Sequence, residues 1–372
     1  MKTPPLIRIL ADPRCMAGLD EAGWDVAIRQ ARAAGLLATL YHAAEGAGVL
    51  AALPERVGTQ LLAAHHLAQR HFEVTQWEVR EIHATLENIG VPLVVLKGAA
   101  YVMADLEAAR GRLFGDVDIL VPRGALADVE RALGRAGWMQ ENRDAYDDRY
   151  YRKWMHEIPA RKHAERGTVI DVHHNILPLT ARNKPRADLL WQAARPIAGF
   201  ADLYVLAPED MLLHSAAHLF LNGEFDRGLR DLNDFSRLAR EFGGAPGFWE
   251  GVRARAGDLD LVRPLGLAVR HANRLLQTAI PETTVPEAAQ GGTGLLDAIL
   301  TRGLRPNHSS ARDPGTAAAL FALYVRGHYL RMPFHLLLPH LLYKATLAKY
   351  REQKLHDRNQ ELMEQFRAFL DK

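Results

Sequence analysis

Asp116 and Asp118 stand one residue apart within Phe114-Gly-Asp-Val-Asp-Ile-Leu-Val121. If that segment is a strand, alternation puts both carboxylates on one face, with Val117, Ile119 and Val121 on the other. Two ionised carboxylates about 7 Å apart along a strand repel each other. No basic partner is evident close by in the chain, and a hard divalent cation with oxygen ligands would relieve the conflict. Asp171 lies in a similar apolar setting, Thr168-Val-Ile-Asp-Val-His173. A carboxylate inside such a strand is costly unless it is paired or bound to metal. Three strand-borne carboxylates fit a two-metal site for phosphoryl transfer. The expectation is therefore two Mg²⁺ or Mn²⁺ ions held by Asp116, Asp118 and Asp171, the same three residues being catalytic. An isolated Asp-x-Asp is common, and its ordinary setting is a solvated turn; the apolar flanks argue for the functional reading here.

Upstream, Lys97-Gly98-Ala99-Ala100 closes one apolar run and opens an Ala-rich stretch. A strand-to-helix turn of this kind offers unpaired backbone N–H groups to a phosphate, and Lys97 adds positive charge. Arg112, four residues before the first aspartate, is a second candidate for triphosphate contact. The expected nucleotide-binding set is Lys97, Gly98, Ala99 and Arg112.

The histidines are weaker signals. His214 and His218 fall at i and i+4, a spacing zinc accepts, but no Glu follows His214 and no thiolate is available. A packed or cleft-facing pair is the plainer reading. His173 shares a strand face with Asp171 and would border the metal site. His356-Asp357 sits in a charged C-terminal stretch and reads as chance. Arg326, Arg331, Lys344, Lys349, Arg351 and Lys354 read as a solvated helix face rather than as an acceptor-steering patch.

The elements that must position these groups follow from hydrophobic period. Trp24, Ile28, Ala31 and Leu36 repeat near a helical period that ends at the Gly46-Ala47-Gly48 breaker. A long helix should follow Pro54, with Val79, Ile82, Leu86 and Ile89 as its apolar stripe and Gly90 as its stop. Leu93 to Leu96 and Asp116 to Val121 are of strand length, and residues 124–136 read as a helix with Val129 and Leu133 inward. Trp138 to Trp154 suggests one or two more strands, and Thr168 to His173 another. From Pro208-Glu209-Asp210 helices return and continue, broken at Gly243-Gly244, Gly291-Gly292 and the loop from Pro306 to Pro314. This predicts an α+β fold: a small mixed sheet flanked by N-terminal helices and a large C-terminal helical region. The expected division is 1–90, 91–200 and 201–372.

Composition bounds the function. The chain has 372 residues, with 46 Lys+Arg against 44 Asp+Glu, so it is no polyelectrolyte built to coat nucleic acid. The one cysteine, Cys15, can form no internal disulfide and no thiolate zinc site alone, which points to a reducing, cytoplasmic setting. No apolar run reaches the roughly 18 to 20 residues of a membrane span, and no signal peptide is legible.

Taken in order, Gly90-Val-Pro-Leu-Val-Val-Leu-Lys-Gly-Ala-Ala-Tyr101, Arg112-Leu-Phe-Gly-Asp-Val-Asp-Ile-Leu-Val121 and Val169-Ile-Asp-Val-His-His174 resemble the DNA-polymerase-β-type nucleotidyltransferase superfamily. More closely they resemble its bacterial family of uncharacterised nucleotidyltransferases. The likeness extends more loosely to Leu212-Leu-His-Ser-Ala-Ala-His218 and Leu229-Arg-Asp-Leu-Asn-Asp234. It implies that Asp116 and Asp118 hold both metals, while Asp171 completes the second metal site and helps activate the acceptor hydroxyl. Many members of the superfamily carry Gly-Ser in the turn, where this chain has Gly98-Ala99. The hydroxyl contact to phosphate is lost, and Lys97 and backbone amides must do more.

The implied activity moves an NMP from an NTP, ATP included, to an acceptor on protein, RNA or a small molecule, and releases pyrophosphate. Neither the acceptor nor the oligomeric state is legible. Two other classes compete: an Asp-x-Asp metal-dependent glycosyltransferase, which needs neither the Lys-Gly turn nor the third carboxylate, and a non-catalytic nucleotide-binding regulatory protein. On repulsion alone, Asp118→Asn should leave stability flat or raise it.

Overall fold

A computed structural model of the chain describes residues 3–140, 145–286 and 294–343. Lys344, Lys349, Arg351, Lys354, His356, Asp357, Gly291 and Gly292 therefore lie outside the described residues. The N-terminal part is helical: α1 (Pro5–Ala11), α2 (Glu21–Ala34), α3 (Leu37–Gly46) and α4 (Glu55–Glu87). The helix expected to continue to Gly46 is in fact two. Gly35, at φ 68°, is in the left-handed region that caps α2, and Leu36 turns the chain into α3. At 33 residues α4 is about 50 Å long. Val79, Ile82 and Leu86 are fully buried, whereas Ile89 falls past its end and is exposed.

The sheet is built from β1 (Leu93–Val95), β2 (Asp116–Leu120), β3 (Trp138–Gln140), β4 (Arg161–His163), β5 (Val169–His173), β6 (Arg195–Pro196) and β7 (Leu203–Val205). Helices α5 (Lys97–Met103), α6 (Leu126–Arg135), α7 (Ala145–Trp154) and α8 (Ala187–Ala193) are interleaved with them. The strand order is β3-β4-β5-β2-β1-β7-β6. The central β2 pairs antiparallel with β1 and parallel with β5, and β1 pairs parallel with β7. The mixed sheet with helices before and after it is the expected class. Among its described residues the stretch from Trp138 to Trp154 holds one short strand, within the expected one or two, and then the helix α7; the next strand begins at Arg161. Strand β7 also lies beyond residue 200, so the sheet extends past that expected boundary.

The C-terminal region comprises α9 (Pro208–Leu221), α10 (Gly228–Phe242), α11 (Phe248–Asp258), α12 (Val262–Leu276), α13 (Gly294–Gly303), α14 (Thr316–Arg331) and α15 (Phe334–Tyr343). Pro208 occupies the first turn of α9 with Glu209 and Asp210 behind it, as a helix start requires. Asp210 is fully buried and takes two hydrogen bonds from Arg255 of α11, at 2.6 and 2.8 Å. One contiguous apolar core runs from Leu6 in α1 through all the central strands to Leu323 in α14. Helices α4 and α5 pack on β1 and β2, and α9 packs on α5. Arg326 and Arg331, expected on a solvated face, are partly buried and bind Phe220 O and Asn222 Oδ1 at the end of α9.

Candidate active site

Parallel pairing of β2 with β5 sets Asp118 directly beside Asp171, and Asp116 beside Val169. Residues in register on neighbouring strands lie about 4.8 Å apart and face the same side. Asp116, Asp118 and Asp171 therefore share one face, while Val117, Ile119, Ile170 and Val172 fill the core behind them. Asp116 is exposed at the strand end, Asp118 is 4% exposed, and Asp171 is intermediate.

The basic partner that seemed missing is Lys97. Its Nζ lies 2.6 Å from Asp118 Oδ1. The neighbouring β1 brings it there, since Leu96 N donates to Asp118 O at 2.9 Å and Lys97 comes next. His173, two residues beyond Asp171 and buried, puts Nε2 3.0 Å from the same oxygen. Burial alone would raise the Asp118 pKa, but Lys97 and His173 outweigh it and hold the carboxyl well below the usual range. Lys97 is correspondingly pushed up: burial works against its charge, and Asp118 prevails.

Asp171 behaves oppositely. It makes no hydrogen bond or ion pair among the described residues, and burial, then Asp118 and Glu157, push its pKa up to about 7. An unpaired, part-buried carboxylate beside two others is a donor set that a hard divalent cation satisfies. On that ground Asp116, Asp118 and Asp171 fit a magnesium-type ion.

The turn after β1 is built differently from the expectation. Gly98 is the second residue of α5, and a Cβ placed there would sit 1.7 Å from Arg112 Nη1. Gly98 therefore has to be glycine for Arg112 to pass. Arg112 in turn donates from Nε to Asp234 Oδ2 of α10 at 2.9 Å and lies over the rings of Phe114 and Tyr101, 5.2 and 5.8 Å from their centroids. Its guanidinium lines the cleft but is already committed to tying the turn to α10. Ala99 is buried in the first turn of α5, where backbone amides have no intrahelical acceptor.

The cleft in front of Asp116 and Asp118 is walled by this turn on one side and by α9 and α10 on the other; Asp171 is not among its lining residues. Lys97, Asp116, Asp118, His218, Arg227 and Arg230 all line it. His218 and His214 form one face of α9 toward Lys97. Burial and then that lysine hold both pKa values down, His218 at about 4, so both enter neutral, His214 buried and His218 part-exposed on the cleft wall. Arg230 donates to Asp231 at 2.7 Å, whereas Arg227 is exposed and pairs with no acid among the described residues. The sequence reading missed Arg227, Arg230 and Glu157. Arg230 is itself the arginine of the Arg-Asp-Leu-Asn-Asp run and Arg227 stands three residues before it, the one signal either carried; Glu157 lies in an irregular segment and carried none.

Two comparisons with known proteins return nothing: no curated protein and no solved structure matches the chain. A third does, for residues 20–277 match the model of a family described as uncharacterised nucleotidyltransferase. The match covers more than half of the chain and takes in every aspartate, lysine and arginine of the cleft.

Proposed function

We propose, from a chain that belongs to the uncharacterised nucleotidyltransferase family, a metal-dependent enzyme of the DNA-polymerase-β type that transfers NMP from an NTP to an acceptor hydroxyl. The observation that carries this reading is the register of β2 on β5, with Asp118 beside Asp171 and Asp116 at the open strand end. Asp116, Asp118 and Asp171 would hold two Mg²⁺ or Mn²⁺ ions, whose chemistry when bound is to neutralise triphosphate charge and polarise the α-phosphoryl group. The rest is assigned to the chain. Lys97 and His173 fix Asp118 in its ionised state and in one orientation. Arg227 and Arg230 offer positive charge to the triphosphate across the cleft, with the Gly98 turn on the near side.

Asp171, beside Asp118 on the same face of the sheet, is the carboxylate placed to accept the proton of the attacking hydroxyl. The acceptor oxygen then bonds to the α-phosphorus, the α–β bridge breaks, and pyrophosphate leaves. The acceptor class is protein, RNA or a small molecule.

The test is to incubate the protein with a cell lysate, Mg²⁺ or Mn²⁺, and each α-labelled NTP in turn. Label should pass to one class of acceptor with release of pyrophosphate, and Asp116→Asn and Asp171→Asn should both abolish it. Label transfer from a nucleotide sugar instead would move the assignment to a glycosyltransferase. Nucleotide binding with no transfer under any of these conditions would leave a regulatory binding protein.

A further inference from the structure

His156, Glu157 and His173 form a cluster that reaches Asp118 through His173. One ring nitrogen from each histidine and one Glu157 carboxylate oxygen all lie within 4.8 Å of one another. Around a tetrahedral zinc-type ion with bonds of about 2.0–2.1 Å, ligand atoms stand about 3.4 Å apart. His173 Nδ1 and Glu157 Oε2 are already at 3.3 Å, yet without hydrogen-bond geometry. Nδ1 of His156 is buried and also has no hydrogen-bond partner. Two imidazoles with ring centroids 5.1 Å apart and a neighbouring carboxylate leave ring nitrogens that make no hydrogen bond among the described residues.

The backbone holds the three side chains in place. Glu157 and His173 form an isolated antiparallel bridge, Ile158 N donates to Val172 O at 3.0 Å, and His174 N donates to His156 O at 2.7 Å. The segment before β4 is therefore pinned along the end of β5, and the ligands project from backbone that is already fixed.

We propose that His156, Glu157 and His173 bind a divalent transition-metal ion of the zinc type, separate from the magnesium-type site of the three aspartates. Ring nitrogens select zinc over magnesium, which keeps to oxygen ligands. The charge of Lys97 is taken up by Asp118 at 2.6 Å, and Glu157 supplies a negative charge to the ion. In the bound form His173 coordinates through Nδ1 and donates its Nε2–H to Asp118 Oδ1, the carboxylate–histidine–metal arrangement that fixes a ligand ring in one tautomer. The ion thereby stiffens the ring that orients Asp118. Binding does not depend on nucleotidyl transfer, so its success or failure is separate from that of the proposed activity.

The test titrates the metal-stripped full-length protein with Zn²⁺ by calorimetry and with Co²⁺ by visible absorption, in the absence of nucleotide. One ion per chain should bind, with Co²⁺ giving d–d bands of four- or five-coordination. His156→Ala and Glu157→Gln should each weaken Zn²⁺ by about 100-fold or more, whereas Asp171→Asn should keep it. Neither His156 nor Glu157 is fully buried, and Glu157→Gln changes only the charge, so the fold survives in at least that variant. Absence of binding by the parent overturns the proposal. So does parent-like affinity in both variants, as would follow if the ion sat instead at His42 and His65, whose ring nitrogens are 3.2 Å apart on α3 and α4.

Discussion

Lys97 Nζ lies 2.6 Å from Asp118 Oδ1, and the lysine holds this place with its own backbone at φ 48°. A non-glycine residue in the left-handed region carries strain. Here the buried ion pair over-determines it. The lysine of the turn thus serves the second aspartate of Asp-x-Asp first, and reaches any phosphate only from that position.

It follows that Lys97→Ala acts on folding as well as on ligand binding. Removing one partner of a buried pair leaves an uncompensated charge and costs about 3 kcal/mol. Denaturant unfolding of the metal-free protein should show this loss. An unchanged midpoint, with only NTP affinity reduced, would put the pair in solvent and restore the simpler phosphate-contact role.

Asp118→Asn should cut turnover by about 10²–10³-fold, the scale of one preorganised electrostatic contact. The stability expectation drawn from Asp–Asp repulsion is reversed by the structure: the substitution strips Lys97 and His173 of their shared acceptor charge. The metal-free protein should lose about 2–3 kcal/mol. A flat or raised melting temperature would show that repulsion from Asp116 outweighs the pair.

Gly98→Ala should fail for a steric reason. The added Cβ would meet Arg112 Nη1 at 1.7 Å, so the guanidinium must shift and strain its Nε–Asp234 hydrogen bond. A loss of about 1–3 kcal/mol should accompany weakened NTP binding. Parent-like stability in this variant would mean that Arg112 relocates freely.

Asp171 links the site to pH. Its folded-state pKa of about 7 stands above its ordinary 3.8, so the folded form holds the proton more tightly than the unfolded form. Its contribution is therefore complete below about pH 4 and is lost as pH rises toward 7. The stability difference between the parent and Asp171→Asn should shift by ~1–3 kcal/mol against the parent across that window without metal. Mn²⁺ affinity in the presence of NTP should rise over the same range, as the ion competes with the proton. Equal affinity at pH 5.5 and pH 7.5 would contradict this.

Arg227→Ala separates binding from folding. The side chain is exposed and unpaired among the described residues, so the melting temperature should not move. Loss of one charge-assisted contact to the triphosphate should weaken NTP by about tenfold. Equal weakening of a free nucleoside would mean that the arginine does not meet phosphate.

Strand identity and facing were legible because they are local. Alternation along Asp116-Val-Asp-Ile-Leu and Val169-Ile-Asp-Val-His depends on neighbours two residues apart, and the apolar partners of each aspartate marked which face is core. Glycine and proline punctuation marked helix ends at Gly46, Pro54, Gly137, Pro208 and Gly243 for the same reason. It failed at Gly35, where an apolar residue on each side continued the period across a left-handed cap.

What the tertiary structure decided is every relation between segments. The register that puts Asp118 beside Asp171 joins residues 53 apart in the chain, and the Lys97–Asp118, Arg112–Asp234 and Glu157–His173 pairs depend on strand order and helix packing. An isolated carboxylate pair reads in sequence as mutual repulsion. Only packing shows that burial, which makes a lone charge costly, also brings a distant lysine and histidine close enough to hold one aspartate ionised and leave the other unpaired.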